Sequence, residues 1–443
     1  MRDDLLGHAA VVAARHAGRA ERERRLAGET VRALVDAGFA RHFVSRARGG
    51  AEGGFAELVH RSAQLAERGC PSAAWCAALL AAHGRIASYL PSRGRGEVWA
   101  QGPDARIAAA LFPPAGSAVP AAGGGLLLSG YWKCASGVDF ADWVLLAAPQ
   151  GPGGGVLVLA VPARDLTVLD TWDSPGLRGT GSNSVLAESV HVPHHRTFLL
   201  ADLMTGRPGA GHSRCHGAPA HLAGALMFAA PALGAATRAL HLWTRRAAPG
   251  TAPRPDAAGT AGAAGTAGIA GTAGTADAAF RPGAAGTAGT AGTGGTAGAV
   301  GTADTLARSS GEIDTARLLL TEAARRADTE PVTEHLVARN RRDAVLAVTL
   351  LATAVRRLAD NSDPHEGRPG EDLHDAARPR EDPHDAARPR EDPHGAARPR
   401  EDPHGATLLR LCRDVTTVAS HGALRMGPAA EAFAAAVLRP VAP

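Results

Sequence analysis

The sequence predicts an α+β protein in three parts. These are an N-terminal helical domain (1–103), a central antiparallel β domain (104–200) and a C-terminal four-helix bundle (201–443). Two low-complexity insertions, 250–302 and 361–405, interrupt the bundle and are expected to be disordered. Three observations predict this layout. Apolar residues follow the helical period up to about residue 100 and again from about residue 214. Short apolar runs between Gly and Pro clusters fill the stretch between. The two insertions have compositions that bury almost nothing.

The first helices follow from spacing and breakers. Val31, Leu34, Val35 and Phe39 lie on one helical face, and Gly38 sits where a helix stops. Glu52 to Glu67 carries a second helical pattern. Ser72 to Tyr89 carries a third, opened by Pro71-Ser72 and closed before Pro91. The runs Ile107–Leu111, Leu126–Leu128, Trp143–Ala147, Val156–Val161 and Val185–Val192 have strand length. Pro113-Pro114, Gly123–Gly125 and Gly151–Gly155 punctuate them, as in compact antiparallel units. Helical patterns return at His221–Arg246, Thr305–Asp328, Pro331–Leu358 and Thr407–Leu438. Ile313, Ala316, Leu319 and Leu320 mark one buried face. The most apolar run, Leu222 to Ala236, is too short to span a bilayer and contains Pro231, so a buried helix is expected.

The insertions also control the charge. The chain has 443 residues, 45% hydrophobic, with net charge +4. Residues 361–405 hold seven Arg against twelve acids, and 250–302 are neutral, so the remaining 345 residues carry +9. That charge suits an anionic ligand such as a phosphate. Without a basic block interleaved with aromatics it does not point to nucleic acid. Residues 361–405 repeat an EDPHDAARPR-type unit with His374, His384, His394 and His404 in step. A solvated loop is favoured over a metal site, because Pro and mixed charge hold the imidazoles apart. Lys133 is the only lysine, which together with the abundant Ala and Gly points to a G+C-rich coding sequence. Five cysteines without CxxC spacing disfavour a disulfide framework or zinc site and fit a reducing compartment. The N-terminus has early acids and no long apolar core, so no signal peptide is expected.

Several chemistries lack their motifs. No P-loop and no G-x-S-x-G elbow is present, and the HVPHH stretch (191–195) has no carboxylate partners at useful spacing. Three stretches are more informative. GYWKCASGVDFADW (130–143) places a small-residue turn between two tryptophans. Trp132 is either an aromatic wall for a flat ligand or a core residue of a hairpin. TWDSPGLRGTGSNSV (171–185) is a polar loop able to bond a ligand edge, or a Gly-rich strand connection. In LLRLCRDVTTVASHGAL (408–424), helical spacing puts Arg413, Thr417 and His421 on one face. His421 is then either a satisfied core histidine or an acid–base group.

Together these stretches resemble the acyl-CoA dehydrogenase fold, and within it the oxygenase components of two-component flavin-dependent monooxygenases of the hydroxyphenylacetate hydroxylase type. The matching pieces are DAGFARHFVSRARGG (36–50), CPSAAW (70–75), GYWKCASGVDFADW, W…GLRGTGS…HVP (172–193), FAAPALGAA (228–236) and LCRDVTTVASH (411–421). The resemblance implies a cytoplasmic homotetramer with no membrane role. It also implies reduced FMN or FAD supplied by a separate reductase, O2 as co-substrate, and an aromatic or polyketide-like small-molecule substrate. Reaction would pass through a C4a-hydroperoxyflavin. Ser136 would bond flavin N5, with Gly137 in the same turn, and Trp132 would wall the ring. Phe112, Gly116, Ser117, Arg178, Thr180 and Ser182 would contact the flavin or shape its loops. His421 would be the active-site acid or base, and His83 would face the substrate. No resident metal is implied. Two alternatives stay open. One is an acyl-CoA dehydrogenase-like flavoprotein, although neither Glu322 nor Glu431 sits in the context of that family's glutamate base. The other is a non-catalytic protein of the same fold.

Overall fold

The computed structural model describes residues 2–151, 154–207, 213–247, 293–362 and 403–438. The chain opens with α1 (Arg2–Glu23), α2 (Gly28–Asp36), α3 (Phe55–Glu67), α4 (Pro71–Ala87) and α5 (Ser92–Val98). Then come β1 (Ile107–Ala110), β2 (Ser117–Pro120), β3 (Leu126–Ala135), β4 (Trp143–Pro149), β5 (Val156–Pro162), β6 (Thr167–Leu169), β7 (Asn183–Val192) and β8 (Thr197–Leu199). The C-terminal part holds α6 (Leu200–Thr205), α7 (Arg214–Gly217), α8 (Ala220–Ala247), α9 (Thr293–Thr329), α10 (Glu334–Asp360), α11 (Pro403–Ala419) and α12 (Met426–Leu438).

The strands form two four-stranded sheets, ordered β1-β4-β5-β8 and β2-β3-β7-β6. Between them lies a sandwich core of Leu128, Trp132, Val144, Leu146, Leu159, Val161 and Val185. The first sheet is covered on its other face by Tyr89, Leu90, Val98 and Trp99, which meet Leu145, Ala147, Val158 and Ala160. Burial on both faces explains why WVLLAA and VLVLAV are continuous apolar runs and do not alternate. The expectation of a purely antiparallel unit needs correction. β1 runs parallel to β4, with Ile107 opposite Trp143, because the chain crosses through β2 and β3 before returning.

One apolar core joins the N-terminal helices to the bundle. Phe55, Leu58 and Leu65 of α3 belong to the same cluster as Leu222, Leu226 and Leu233 of α8, Leu320 of α9, Leu351 of α10 and Val415 of α11. α8 is buried on nearly all sides, which accounts for its lack of a polar stripe. Its 28 residues are long and apolar enough to cross a bilayer, contrary to the estimate from the shorter run. Burial of 78% of its most apolar window inside the protein identifies it as a core helix.

Two boundaries move. α9 begins at Thr293, ten residues inside the stretch assigned to the first insertion. α11 begins at Pro403, inside the second assigned insertion. The expected disorder of the rest of both insertions lies outside the described residues. The last helical pattern is two helices. α11 ends at Ala419 and α12 starts at Met426, with a 3-10 turn at Gly422–Leu424 between.

Candidate active site

Ser136 lies at the end of β3, where the strand turns through Gly137 into the 3-10 turn at Val138–Phe140. Gly137 adopts φ +72°, the left-handed conformation that glycine enters without penalty. Its N–H donates to Thr180 O at 2.9 Å, which ties the turn to the 171–182 loop. That loop is held from the helical side. Asp414 on α11 accepts from Leu177 N at 2.6 Å. Gly176 passes so close to α11 that a Cβ there would lie 2.4 Å from Arg413 O.

A chain of hydroxyls results. Trp75 Nε1 donates to Ser136 Oγ at 3.2 Å. Ser136 Oγ lies 2.7 Å from Ser182 Oγ, and Ser182 Oγ lies 2.8 Å from Thr180 Oγ1. Thr180 Oγ1 donates to Leu177 O at 2.9 Å. Proton accounting fixes the direction. A carbonyl only accepts, so the Thr180 proton points to Leu177. The Ser182 proton then points to Thr180, and the Ser136 proton to Ser182. Ser136 accepts from Trp75 and keeps one further lone pair.

His421 joins this group through aromatic contacts. Its ring lies 4.1 Å from Phe228 of α8 and 5.5 Å, edge-on, from Trp75, and Trp75 and Phe228 are 5.2 Å apart. The expected helical face of Arg413, Thr417 and His421 is not formed. α11 ends two residues before His421, whose backbone is extended (φ −62°, ψ 136°) and caps the following turn. Its Nδ1 accepts from Ala423 N at 3.3 Å. A neutral ring therefore carries its proton on Nε2. Burial lowers the His421 pKa to about 4, so the ring is neutral at pH 7.

The other expected residues fall into different places. Trp132 is 1% exposed and lies in the sandwich core, with Nε1 bonded to Ala147 O at 2.9 Å, so it presents no face to a ligand. This corrects its assignment as a ring wall. Gly116 (φ +67°) serves that packing, since a Cβ there would lie 2.4 Å from Ser129 O and 2.9 Å from the Trp132 ring. Ser117 pairs with Ser129 in the sheet, and Phe112 is 64% exposed. Arg178 donates to Glu21 O, Ser174 O and Asp173, which makes it a brace between the loop and α1. His83 is buried on α4, its Nδ1 2.8 Å from Ile107 O, and burial lowers its pKa to about 4. The sequence motifs assign no role to Trp75, Phe228 or Asp414. Asp414 had a signal: a charged residue one position before Val415 on a helix whose apolar stripe is Leu408, Leu411, Val415 and Val418.

The group suits a flat heterocycle with a polar edge. Trp75, Phe228 and His421 form one aromatic group, and Trp75 bonds a hydroxyl that keeps a lone pair. Neither glutamate considered as a base reaches it. Glu322 is exposed and paired with Arg325 at 2.7 Å, and Glu431 is exposed on α12.

The family described as acyl-CoA dehydrogenase, C-terminal domain, matches residues 263–362. The oxygenase component of an FADH(2)-dependent resorcinol hydroxylase from Rhizobium sp. (strain MTP-10005) is 37% identical over 195 residues, 43% of this chain and 47% of that protein. The match thus spans about half the length of that curated relative. The structure of XiaF from Streptomyces sp. in complex with FADH2 and glycerol superposes with TM-score 0.72 and 26% identity, over 100% of this chain and 97% of the other. A 3-HSA hydroxylase from Rhodococcus sp. RHA1 superposes with TM-score 0.71 at 21% identity, over 98% and 94%. The chain therefore carries an acyl-CoA dehydrogenase-type fold and is related to the oxygenase components of flavin-dependent monooxygenases.

Proposed function

We propose that the chain is the oxygenase component of a two-component flavin-dependent monooxygenase. It takes reduced FMN or FAD from a separate reductase and hydroxylates an aromatic or polyketide-like small molecule with O2. A cytoplasmic location and a homotetrameric assembly belong to the same proposal. The observation that carries it is the contact of Ser136 and of His421, far apart in the sequence, with the same Trp75.

Bound reduced flavin supplies the electrons that activate dioxygen. The residues supply the rest. Ser136 holds the polar edge of the ring with its free lone pair. Trp75, Phe228 and the sandwich end keep water from that edge. His421, neutral and protonated at Nε2, donates to an oxygen of the substrate or of the departing group. Such a group contributes about 10²–10⁴-fold in rate. Acyl-thioester oxidation is disfavoured, because among the described residues the cluster holds an imidazole and hydroxyls but no glutamate.

The test is to mix the protein with photoreduced flavin, O2 and resorcinol, the substrate named for one relative, within a wider panel of phenols. Hydroxylated product and hydrogen peroxide are both measured. Product from at least one phenol is expected. Peroxide alone across the panel, with dye reduction by an acyl thioester, overturns the proposal.

A further inference from the structure

We propose that Thr180 and Ser182 set the redox preference of flavin binding, by turning the Ser136 hydroxyl proton away from the ligand. The proposal rests on the flavin-binding reading above and adds to it a device for choosing between two states of the same cofactor.

The argument starts at Leu177. Its carbonyl accepts from Thr180 Oγ1 at 2.9 Å, Thr180 N at 3.0 Å and Trp172 Nε1 at 3.2 Å. A carbonyl can only accept, so the Thr180 hydroxyl at 2.9 Å turns its proton to this oxygen, sharing it with the two longer N–H donors. Leu177 is itself fixed. It has φ +52°, a left-handed conformation costly for a leucine, and its N–H is held by the buried carboxylate of Asp414. From this anchor the directions propagate without choice: Ser182 donates to Thr180, and Ser136 donates to Ser182. Thr180 is 1% exposed and Ser182 4% exposed, which leaves little room for water to reverse the chain. At the other end the Trp75 indole can only donate, which reinforces the same polarity.

Ser136 is half-buried and is the last hydroxyl of the chain, so it meets a ligand as an acceptor. Reduced flavin carries N5–H, a donor. Oxidised flavin carries a bare N5 lone pair, which would face the Ser136 lone pair. Polar mismatches of this kind discriminate strongly, because a buried group left unpaired costs more than a formed bond returns. The hydroxyl chain therefore accepts the flavin after it has been reduced and disfavours it before.

The test measures binding, not turnover. Purified full-length protein is titrated anaerobically with oxidised and with photoreduced FMN, then with the two forms of FAD, and free flavin is measured after ultrafiltration. The readout is the ratio of the two Kd values. The wild type should prefer the reduced form. In Ser182→Ala the Ser136 proton loses its acceptor and can turn to the ligand, and the preference should fall by about tenfold, with oxidised flavin binding tighter. Thr180→Val, which frees the Ser182 proton to turn back to Ser136, should do the same. Thr180→Ser keeps the hydroxyl and should restore the wild-type ratio. A loss of packing alone would weaken both forms together and leave the ratio unchanged. If Ser182→Ala does not fold, the Thr180 pair decides. An unchanged ratio in folded Thr180→Val overturns the proposal while leaving flavin binding intact. A wild type that binds neither form overturns the flavin reading itself.

Discussion

At the residue scale, Ser136 and Trp132 show what a local pattern can and cannot specify. Leu126, Leu128 and Trp132 lie at even spacing on β3, and all three are buried, so strand alternation alone places Trp132 in the core. The small-residue turn after it holds Ser136, and the Gly-rich patterns around Ser136, Thr180 and Ser182 marked polar loops in the sequence. Trp75 was not marked, because a tryptophan on an all-apolar helix has the same local signature in a core as at a site. Its role depends on a contact 61 residues away. Trp75→Phe keeps the ring and removes the donor. It should raise the share of consumed O2 released as peroxide, measured against product, and leave the fold melting within a few degrees of wild type. His421→Gln should bind reduced flavin normally and give product about 10²-fold more slowly or worse. Normal hydroxylation by both variants would remove these residues from the site.

At the element scale, helix contacts were legible as apolar faces, but their closeness was not. Gly234 of α8 lies where a Cβ would sit 2.0 Å from Ala63 O of α3. Gly224, less than three turns earlier on the same helix, has nothing within 4 Å of such a Cβ. The two glycines are equivalent in sequence and opposite in consequence. Gly234→Ala should push α3 from α8 and destabilise the protein by about 1–3 kcal/mol. Gly224→Ala should be neutral or stabilising by up to about 1 kcal/mol. Urea unfolding of the pair checks this, and equal effects would contradict the close approach. The break before His421 was missed for a related reason. The apolar stripe of α11 stops at Val418, but Ala and Gly around residue 420 neither require nor forbid another turn. The cap made by His421 itself decides.

At the scale of the whole molecule, the buried titratable groups set the response to acid. Burial lowers the pKa of His42, His83, His216, His221 and His421. A histidine lowered in the folded state contributes stability that is present above its unfolded value near 6.5 and is lost as pH falls toward the folded value. For His83 and His421, both near 4, the loss between pH 6.5 and 4 is at most about 3 kcal/mol each. Asp414 acts in the opposite sense. Burial raises it to about 7, so its contribution is full only below about 3.8 and fades as pH rises to 7. The histidines outnumber it, so stability should fall on acidification from pH 7 to pH 5. A urea midpoint that stays level or rises over that range would show that these imidazoles are not held neutral.

The long helix α9 has a consequence for how the protein tolerates its own sequence. It starts within Gly-Thr-Ala sequence, and it supplies Ile313, Ala316, Leu320, Ala323, Ala324 and Ala327 to the core. A helix advances about 100° per residue, so a unit of three advances about 300° and like residues spiral around the axis. Such a repeat cannot generate an apolar stripe, however many copies it gains. Lengthening or trimming it therefore leaves the registration of Ile313, Ala316 and Leu320 against the bundle unaltered. Replication slippage in this tract is a silent change as far as the core is concerned.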